Sequence, residues 1–444
     1  MNASKRWTIL TVVLSTSLML MAQQPWTVEQ CMHYALEHSH DVKQQQLTYD
    51  DYRAERLRSI GSFLPSVGAS LSGQYNFGRA VDPETNTYTN VNTFYNGYNL
   101  QASVPVFDGL TRYNDLRAAQ ARVWMGRMGV EAKKDEVAQT VMKQCMDVLY
   151  CQGAVAIAGD KRKESEMLLQ QTKVMLEIGT KSEADVAQME ATLAADDYEV
   201  TRQQNLLLKS VLTLKKLMNY PMGDSLWLDS LSTEAVPASE ALSGEEVFSL
   251  ARRHYPLLKQ AEYEVRAARF ALRSARGSWL PTLSVGAGIS TSYNKTLGNA
   301  QSRGFREQFK GNRGEYLMAS LSFPIFNRLD QVSQVRVQRN RWRSAVDKLQ
   351  QQETDLQRLI VEALADCNSG RVECSKLARK VDADRLAVRL TVRKYEEGMA
   401  SAIDVQTATV TLLQSRAALL QSRLLQWYQE QMLNYYRGIP LWIK

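Results

Sequence analysis

The sequence predicts an α+β membrane protein: an internally duplicated helix–β-hairpin–helix unit whose strands span a bilayer and whose helices extend away from it. Three observations carry this. Motifs of the first half recur in the second at a nearly constant offset. Four stretches alternate apolar and small polar residues over about 10–13 positions, longer than an ordinary globular strand. Two stretches, 110–177 and 329–396, show helical periodicity and contain no proline.

The duplication is read from matched motifs. Gly61-Ser62-Phe63-Leu64-Pro65 returns as Gly277-Ser278-Trp279-Leu280-Pro281, 216 positions later. Val104-Pro105-Val106-Phe107 returns as Phe323-Pro324-Ile325-Phe326, and Gly179 with Asp185-Val186 as Gly398 with Asp404-Val405, both 219 positions later; Pro221 returns as Pro440. A period of half the chain is not a solenoid repeat; it marks two copies of one structural unit. The boundaries are 1–22 for a leader, 23–221 for the first copy, 222–243 for a connector marked by Gly223 and Pro237, and 244–444 for the second copy.

Met1 to Ala22 has the three parts of a secretory signal: basic Lys5 and Arg6, an apolar run from Ile9 to Met21, and the small Ala22 at the cut site. An uncleaved anchor is the alternative, disfavoured because the run is too short to span a bilayer comfortably. No later stretch approaches 18 apolar residues, which leaves the periplasm, the cell exterior or an outer-membrane β-barrel. The net charge of +7 is interspersed along helical stretches, so it reads as solvated faces and not as a nucleic-acid patch. Five cysteines, an odd number without a C-x-x-C, exclude a full disulfide framework; a bridge between the copies, from Cys145 or Cys151 to Cys367 or Cys374, stays open. His33, His38 and His40 lack the i, i+4 spacing of a helical metal pair. No triad or phosphate loop is present, so neither enzyme activity, nor a cofactor, nor a metal is expected.

Each copy runs medium helix, strand, loop, strand, very long helix, turn, medium helix. The first medium helices cover about 27–60 and 244–276, each ended by Leu-Pro, because the residue before proline leaves the helical region. The strands cover about 66–78, 94–106, 282–294 and 316–326. In the first, Val67, Ala69, Leu71, Tyr75 and Phe77 share one face, and Ser66, Gly68, Ser70, Ser72 and Gln74 the other. In the second, Phe94, Tyr98, Leu100, Ala102, Val104 and Val106 oppose Tyr95, Gly97, Asn99, Gln101 and Ser103. Length, a small wet polar face and aromatics near the strand ends fit a transmembrane barrel; a sheet with one face on helices is the alternative. Four strands cannot close a barrel, and an open edge is not tolerated in lipid. The chain is therefore expected to be an obligate oligomer. Each long helix would extend roughly 100 Å and needs lateral support, which matched apolar positions supply: Val137, Val141, Cys145 and Val148 against Leu356, Ile360, Leu364 and Cys367. The two medium helices of a copy, stacked end to end, would match one long helix, giving four lanes per chain. The basic loop Lys295–Glu315 would face outside.

In this order and repetition the chain resembles the TolC-like outer-membrane factor family of bacterial efflux and secretion systems. The duplication, the Leu-Pro before each first strand, the Val-Pro or Phe-Pro at each second strand and the Gly-x5-Asp-Val turn carry the resemblance. It implies a homotrimer in the outer membrane of a Gram-negative bacterium. Three chains would pool twelve strands into one barrel and twelve lanes into a periplasmic α-helical barrel. It implies a passive exit duct that docks through its helical tips to a periplasmic adaptor (membrane fusion) protein and an inner-membrane transporter of RND or ABC type. Gly179 and Gly398 would sit at the tip reversals, and Asp185 and Asp404 would match the family's acidic position after the turn. A carboxylate ring there would select cations; helix N-terminal stabilisation is the other reading, level with it for Asp185 and disfavoured for Asp404. Tyr395 matches a gating aromatic. Thr407 replaces a second acid, and Ala400 a basic gate residue that Lys181 supplies in the first copy. A trimeric, membrane-anchored coiled-coil scaffold or adhesin is the alternative function.

Overall fold

The structure, a computed structural model, describes residues 25–81, 86–90, 92–229, 243–297 and 303–442. The expected signal segment 1–22 and most of the connector 222–243 lie outside them. In the first copy, helices α1 (Val28–His38) and α2 (His40–Gly61) precede strands β1 (Ser66–Asn76), β2 (Arg79–Val81), β3 (Tyr88–Asn90) and β4 (Thr93–Asp108), and helices α3 (Thr111–Glu177) and α4 (Glu183–Met218) follow. The second copy has α5 (Gly244–His254), α6 (Pro256–Gly277), β5 (Thr282–Thr296), α7 (Phe305–Gly311), β6 (Gly314–Ser322), α8 (Asp330–Glu396) and α9 (Ala402–Tyr436).

Both first medium helices, expected as single, are broken. Ser39 is extended; its N–H closes α1 on the Ala35 carbonyl, and its Oγ accepts from Val42 N to cap α2. The second break falls at Tyr255, 216 positions on, where Pro256 forces its predecessor to be extended and then serves as the first residue of α6. The break belongs to the repeat, made once by a serine cap and once by a proline.

The principal sheet has the order β1-β4-β5-β6, all antiparallel. Its register keeps like beside like. Leu71 pairs with Tyr98 and Tyr98 with Thr291; Ala102 pairs with Ala287 and Ala287 with Leu317. On the other face Ser70 pairs with Asn99 and Asn99 with Ser290. One apolar and one small polar face therefore run across all four strands. Every residue of β6 and nearly all of β1 is exposed, so among the described residues no helix covers either face there, against the packed-sheet alternative. Two expectations are corrected. Val106 was placed on the apolar face, but the register shifts between Pro105 and Phe107, and Phe107 takes the place opposite Leu283; proline cannot donate to the ladder, and a bulge absorbs it. The fourth strand, expected to reach 326, stops at Ser322, because its partner β5 begins at Thr282 opposite it. The hairpin β2–β3 and the loop helix α7 were not anticipated.

The chain forms two compact units, each drawn from both copies. One holds the sheet with residues 46–129 and 257–353. There Arg112, ion-paired to Asp108 at 2.8 Å, donates to the Ser62 carbonyl at 2.8 Å, and Gln331 donates to the Ser278 carbonyl at 2.9 Å: one staple, written in each copy. The other unit holds the described residues 25–45, 130–229, 243–256 and 354–442. Its core joins Cys31, Met32 and Ala35 of α1 with Val141, Met142, Cys145 and Val148 of α3 and Leu214 and Met218 of α4. Leu356, Ile360 and Cys367 are buried on α8, as their spacing indicates. All five cysteines are free thiols. The thiol neighbour of Cys145 is Cys31 of its own copy, so the bridge between copies is not formed.

Candidate functional site

The helical unit ends in two turns of the same construction. Gly179 and Gly398 both have φ of 77°, a left-handed conformation that glycine adopts without a Cβ penalty. Thr180 N–H donates to the Met175 carbonyl at 2.9 Å, and Met399 N–H, 219 positions on, to the Lys394 carbonyl at 2.7 Å. Ser182 and Ser401 then cap α4 and α9. Asp185 Oδ2 accepts from Ser182 N at 2.9 Å and Oγ at 2.8 Å; Asp404 Oδ2 accepts from Ser401 N at 2.9 Å and Oγ at 2.7 Å. The capping box, disfavoured from sequence for Asp404, is thus formed equally by both carboxylates. The hydrogen bonds from Ser182 and Ser401, backbone first, hold both carboxyls below the usual range, and Lys181 adds to this at Asp185. Capping therefore keeps each tip carboxylate anionic.

Between the turns, the structure brings together two expected site residues from opposite copies. Tyr395 is fully buried, and Lys181 Nζ lies 3.7 Å from its ring centroid, a cation–π contact. Thr172 Oγ1 donates to the Leu168 carbonyl at 2.8 Å, so it accepts from Tyr395 Oη at 3.1 Å. Leu169, Met189, Ala402 and Val405 close around the ring. Asp185 and Asp404 stay with their own caps, and Ala400 only lines the apolar cluster. Thr407 turns its hydroxyl back to the Ile403 carbonyl.

Sequence reasoning missed the charges behind this cluster. Lys161 of α3 meets the buried Asp196 of α4 at 2.6 Å, and Ser165 Oγ donates to Asp196 Oδ2 at 2.6 Å; beside them Arg162 pairs with Asp197 at 2.5 Å. The adjacent Lys161-Arg162 and Asp196-Asp197 were the available signal. A groove of about 390 Å³ opens here, with apolar Leu168 and Val392 inside and Gln171, Arg385, Arg389 and Gln406 among its polar lining.

The comparisons agree with this architecture. The family described as outer membrane efflux protein matches twice, at residues 32–220 and 247–436. The chain is similar to the outer membrane efflux protein BepC of Brucella suis, 22% identical over 359 residues, covering 79% of this chain and 73% of that protein. It is also similar to the probable efflux pump outer membrane protein TtgC of Pseudomonas putida, 21% identical over 430 residues, covering 94% and 85%. Among solved structures, the transmembrane channel protein CusC superposes with a TM-score of 0.79 at 18% identity, over 94% of this chain and 93% of that one. VceC of Vibrio cholerae gives 0.78 at 14%, over 93% and 96%. Both likenesses carry the fold. The two family matches together span well over half of the chain, and the chain belongs to the outer membrane efflux protein family.

Proposed function

We propose that this chain is the passive outer-membrane exit duct of a tripartite efflux or type I secretion system, working as a homotrimer. The observation that carries the reading is the four-stranded sheet with one polar face, one apolar face and two outer edges, β1 and β6, that meet no further strand among the described residues. An open edge in hydrocarbon leaves backbone groups unsatisfied, and three such sheets supply the twelve strands of a closed barrel with a wet lumen. The apolar face meets lipid.

The repeat supports the same closure. Within the chain, β4 of the first copy pairs with β5 of the second, Tyr98 opposite Thr291. Shifting these by the repeat offsets of 219 and 216 puts Leu317 of β6 opposite Tyr75 of β1, and Leu321 opposite Leu71. Both strands are edges, so these pairs form between neighbouring chains.

The duct hydrolyses nothing. Its tips receive a periplasmic adaptor, for which the groove beside Gln171 and Gln406 offers an apolar floor with a polar rim, and the adaptor links it to an inner-membrane transporter of RND or ABC type. Lys181 on Tyr395 ties one tip to the other and holds the resting gate. The Asp404 carboxylates, with those of Asp185, favour cations at the entrance. Deletion of the gene should raise intracellular retention of pump substrates, and the wild-type chain should restore export. Restoration by an assembled protein that shows no ion conductance in planar bilayers would instead support a scaffold.

A further inference from the structure

On the apolar face of the sheet, aromatic rings form a continuous row near the loop end. Tyr75 lies 6.4 Å from Phe77 and 4.7 Å from Phe94; Phe94 lies 6.4 Å from Tyr293, and Tyr293 5.3 Å from Phe305. Phe305 and Phe309, one turn apart on α7, are 5.5 Å from each other, and Phe309 is 5.2 Å from Tyr98. In barrels such a row marks the membrane–water interface.

The loop helix is fixed at this level by its own hydrogen bonds. The β5–β6 ladder ends at Ser290 opposite Gly314. Beyond it, buried Gln308 takes the place of a strand: its Oε1 accepts from Asn294 N at 2.9 Å, and its Nε2 donates to the Asn294 carbonyl at 2.8 Å. Thr291 Oγ1 donates to the Phe309 carbonyl at 2.7 Å, and Asn312 Nδ2 to the Ser292 carbonyl at 2.9 Å. With the phenylalanines against the ring row, Arg306 and Lys310 are exposed to solvent, as are Lys295, Arg303 and Arg313. Lys295 pairs with Phe94, so it stands on the apolar face itself.

Charge here is unbalanced. Residues 295–315 carry five cations against Glu307 and Glu315, and Glu315 is ion-paired with Arg313. Among the described residues Lys295, Arg303, Arg306 and Lys310 have no carboxylate within ion-pair distance. Exposed cations held beside an aromatic row lie at the depth of a bilayer's headgroups, and guanidinium groups match phosphate oxygens in geometry and charge.

We propose that Arg306 and Lys310 of α7, with the flanking Lys295 and Arg303, form a docking surface for the phosphorylated headgroups of outer-leaflet lipid. This rests on the reading that the strands span the outer membrane with these loops outside. The test uses the full oligomer in neutral detergent, titrated with bis-phosphorylated lipid A and with its dephosphorylated form, beside the triple variant Arg303→Gln/Arg306→Gln/Lys310→Gln and the double variant Arg303→Lys/Arg306→Lys. The wild type should bind the phosphorylated lipid at least ten-fold tighter, the glutamine variant should lose that preference while keeping its oligomer on a gel, and the lysine variant should keep most of it. Equal binding of the two lipids by the wild type would overturn the proposal, as would an unchanged preference in the glutamine variant. Full competition by inorganic phosphate would overturn it in favour of a free-anion site. Labelling of Arg306→Cys by an impermeant thiol reagent on intact cells separates the failures: no labelling sinks the topology, and labelling without lipid preference sinks only the lipid site.

Discussion

Lys181 and Tyr395 touch across the two repeats, so the proposed gate can be tested at those atoms. Removing the cation with Lys181→Ala should raise resting conductance in planar bilayers roughly 2- to 30-fold, the range of a cation–π contact worth about 0.5–2 kcal/mol. Tyr395→Phe keeps the ring under Lys181 and loses only the bond to Thr172, so its effect should be smaller; a larger effect than Lys181→Ala would contradict the assignment. At Asp404, cap and charge can be separated. Asp404→Asn retains an acceptor for Ser401 and loses the charge, so it should weaken block by divalent cations without loss of assembly; unchanged block would remove Asp404 from the entrance. A third carboxyl, Asp135, is buried on α3 and accepts from Tyr435 Oη at 2.6 Å. Burial, which outweighs the tyrosine bond, pushes it up to about 6, Glu131 adding and Lys134 opposing. A raised folded value means that its contribution to stability is full in acid and is lost as pH rises through about 6. Asp135→Asn should flatten this slope and stabilise the protein at pH 8 by about 2–3 kcal/mol, read as a shift in denaturant midpoint; a variant less stable than wild type at pH 8 would reverse the sign and refute the account. Asp135 was not legible in the sequence, because nothing local distinguishes a buried carboxylate from its exposed helical neighbours.

Element boundaries were legible wherever the chain itself enforces them. The long helices were read to within a residue, since absence of proline and a glycine reversal fix both ends. Leu64-Pro65 and Leu280-Pro281 placed the starts of β1 and β5. The break at Tyr255–Pro256 was readable from the proline rule, and the one at Ser39 only from its repeat mate. The bulge at Val106 and the loop helix α7 depend on what lies across the ladder, which no local pattern contains. Pairing also sets the junction of Gly109 and Gly277, where each glycine faces the other's carbonyl and a Cβ on either would overlap it. Gly109 also has φ of 67°. Gly277→Ala should therefore cost about 1–3 kcal/mol and reduce assembled protein in the membrane; normal yield and heat stability would argue against that close approach. A Cβ at the equivalent Gly61 would meet nothing within 4 Å among the described residues, so Gly61→Ala reports on whatever a neighbouring chain places there.

For the whole molecule, duplication and closure are one argument. The hairpins of the two copies obey one register: Ala69 opposite Leu100 becomes, after offsets of 216 and 219, Val285 opposite Ala319, which is the observed pair. The same translation applied to the pairing between copies requires Leu71 of one chain to face Leu321 of the next. The copies differ at Lys181 against Ala400 and at Leu176 against Tyr395, and these departures from the repeat are where the proposed gate lies. The most direct test of closure is oxidative crosslinking of the double variant Leu71→Cys/Leu321→Cys in the outer membrane. The account predicts covalent dimers and trimers on a non-reducing denaturing gel, trimer being the largest species and all collapsing to monomer on reduction; monomer alone, or a ladder beyond three chains, would contradict it.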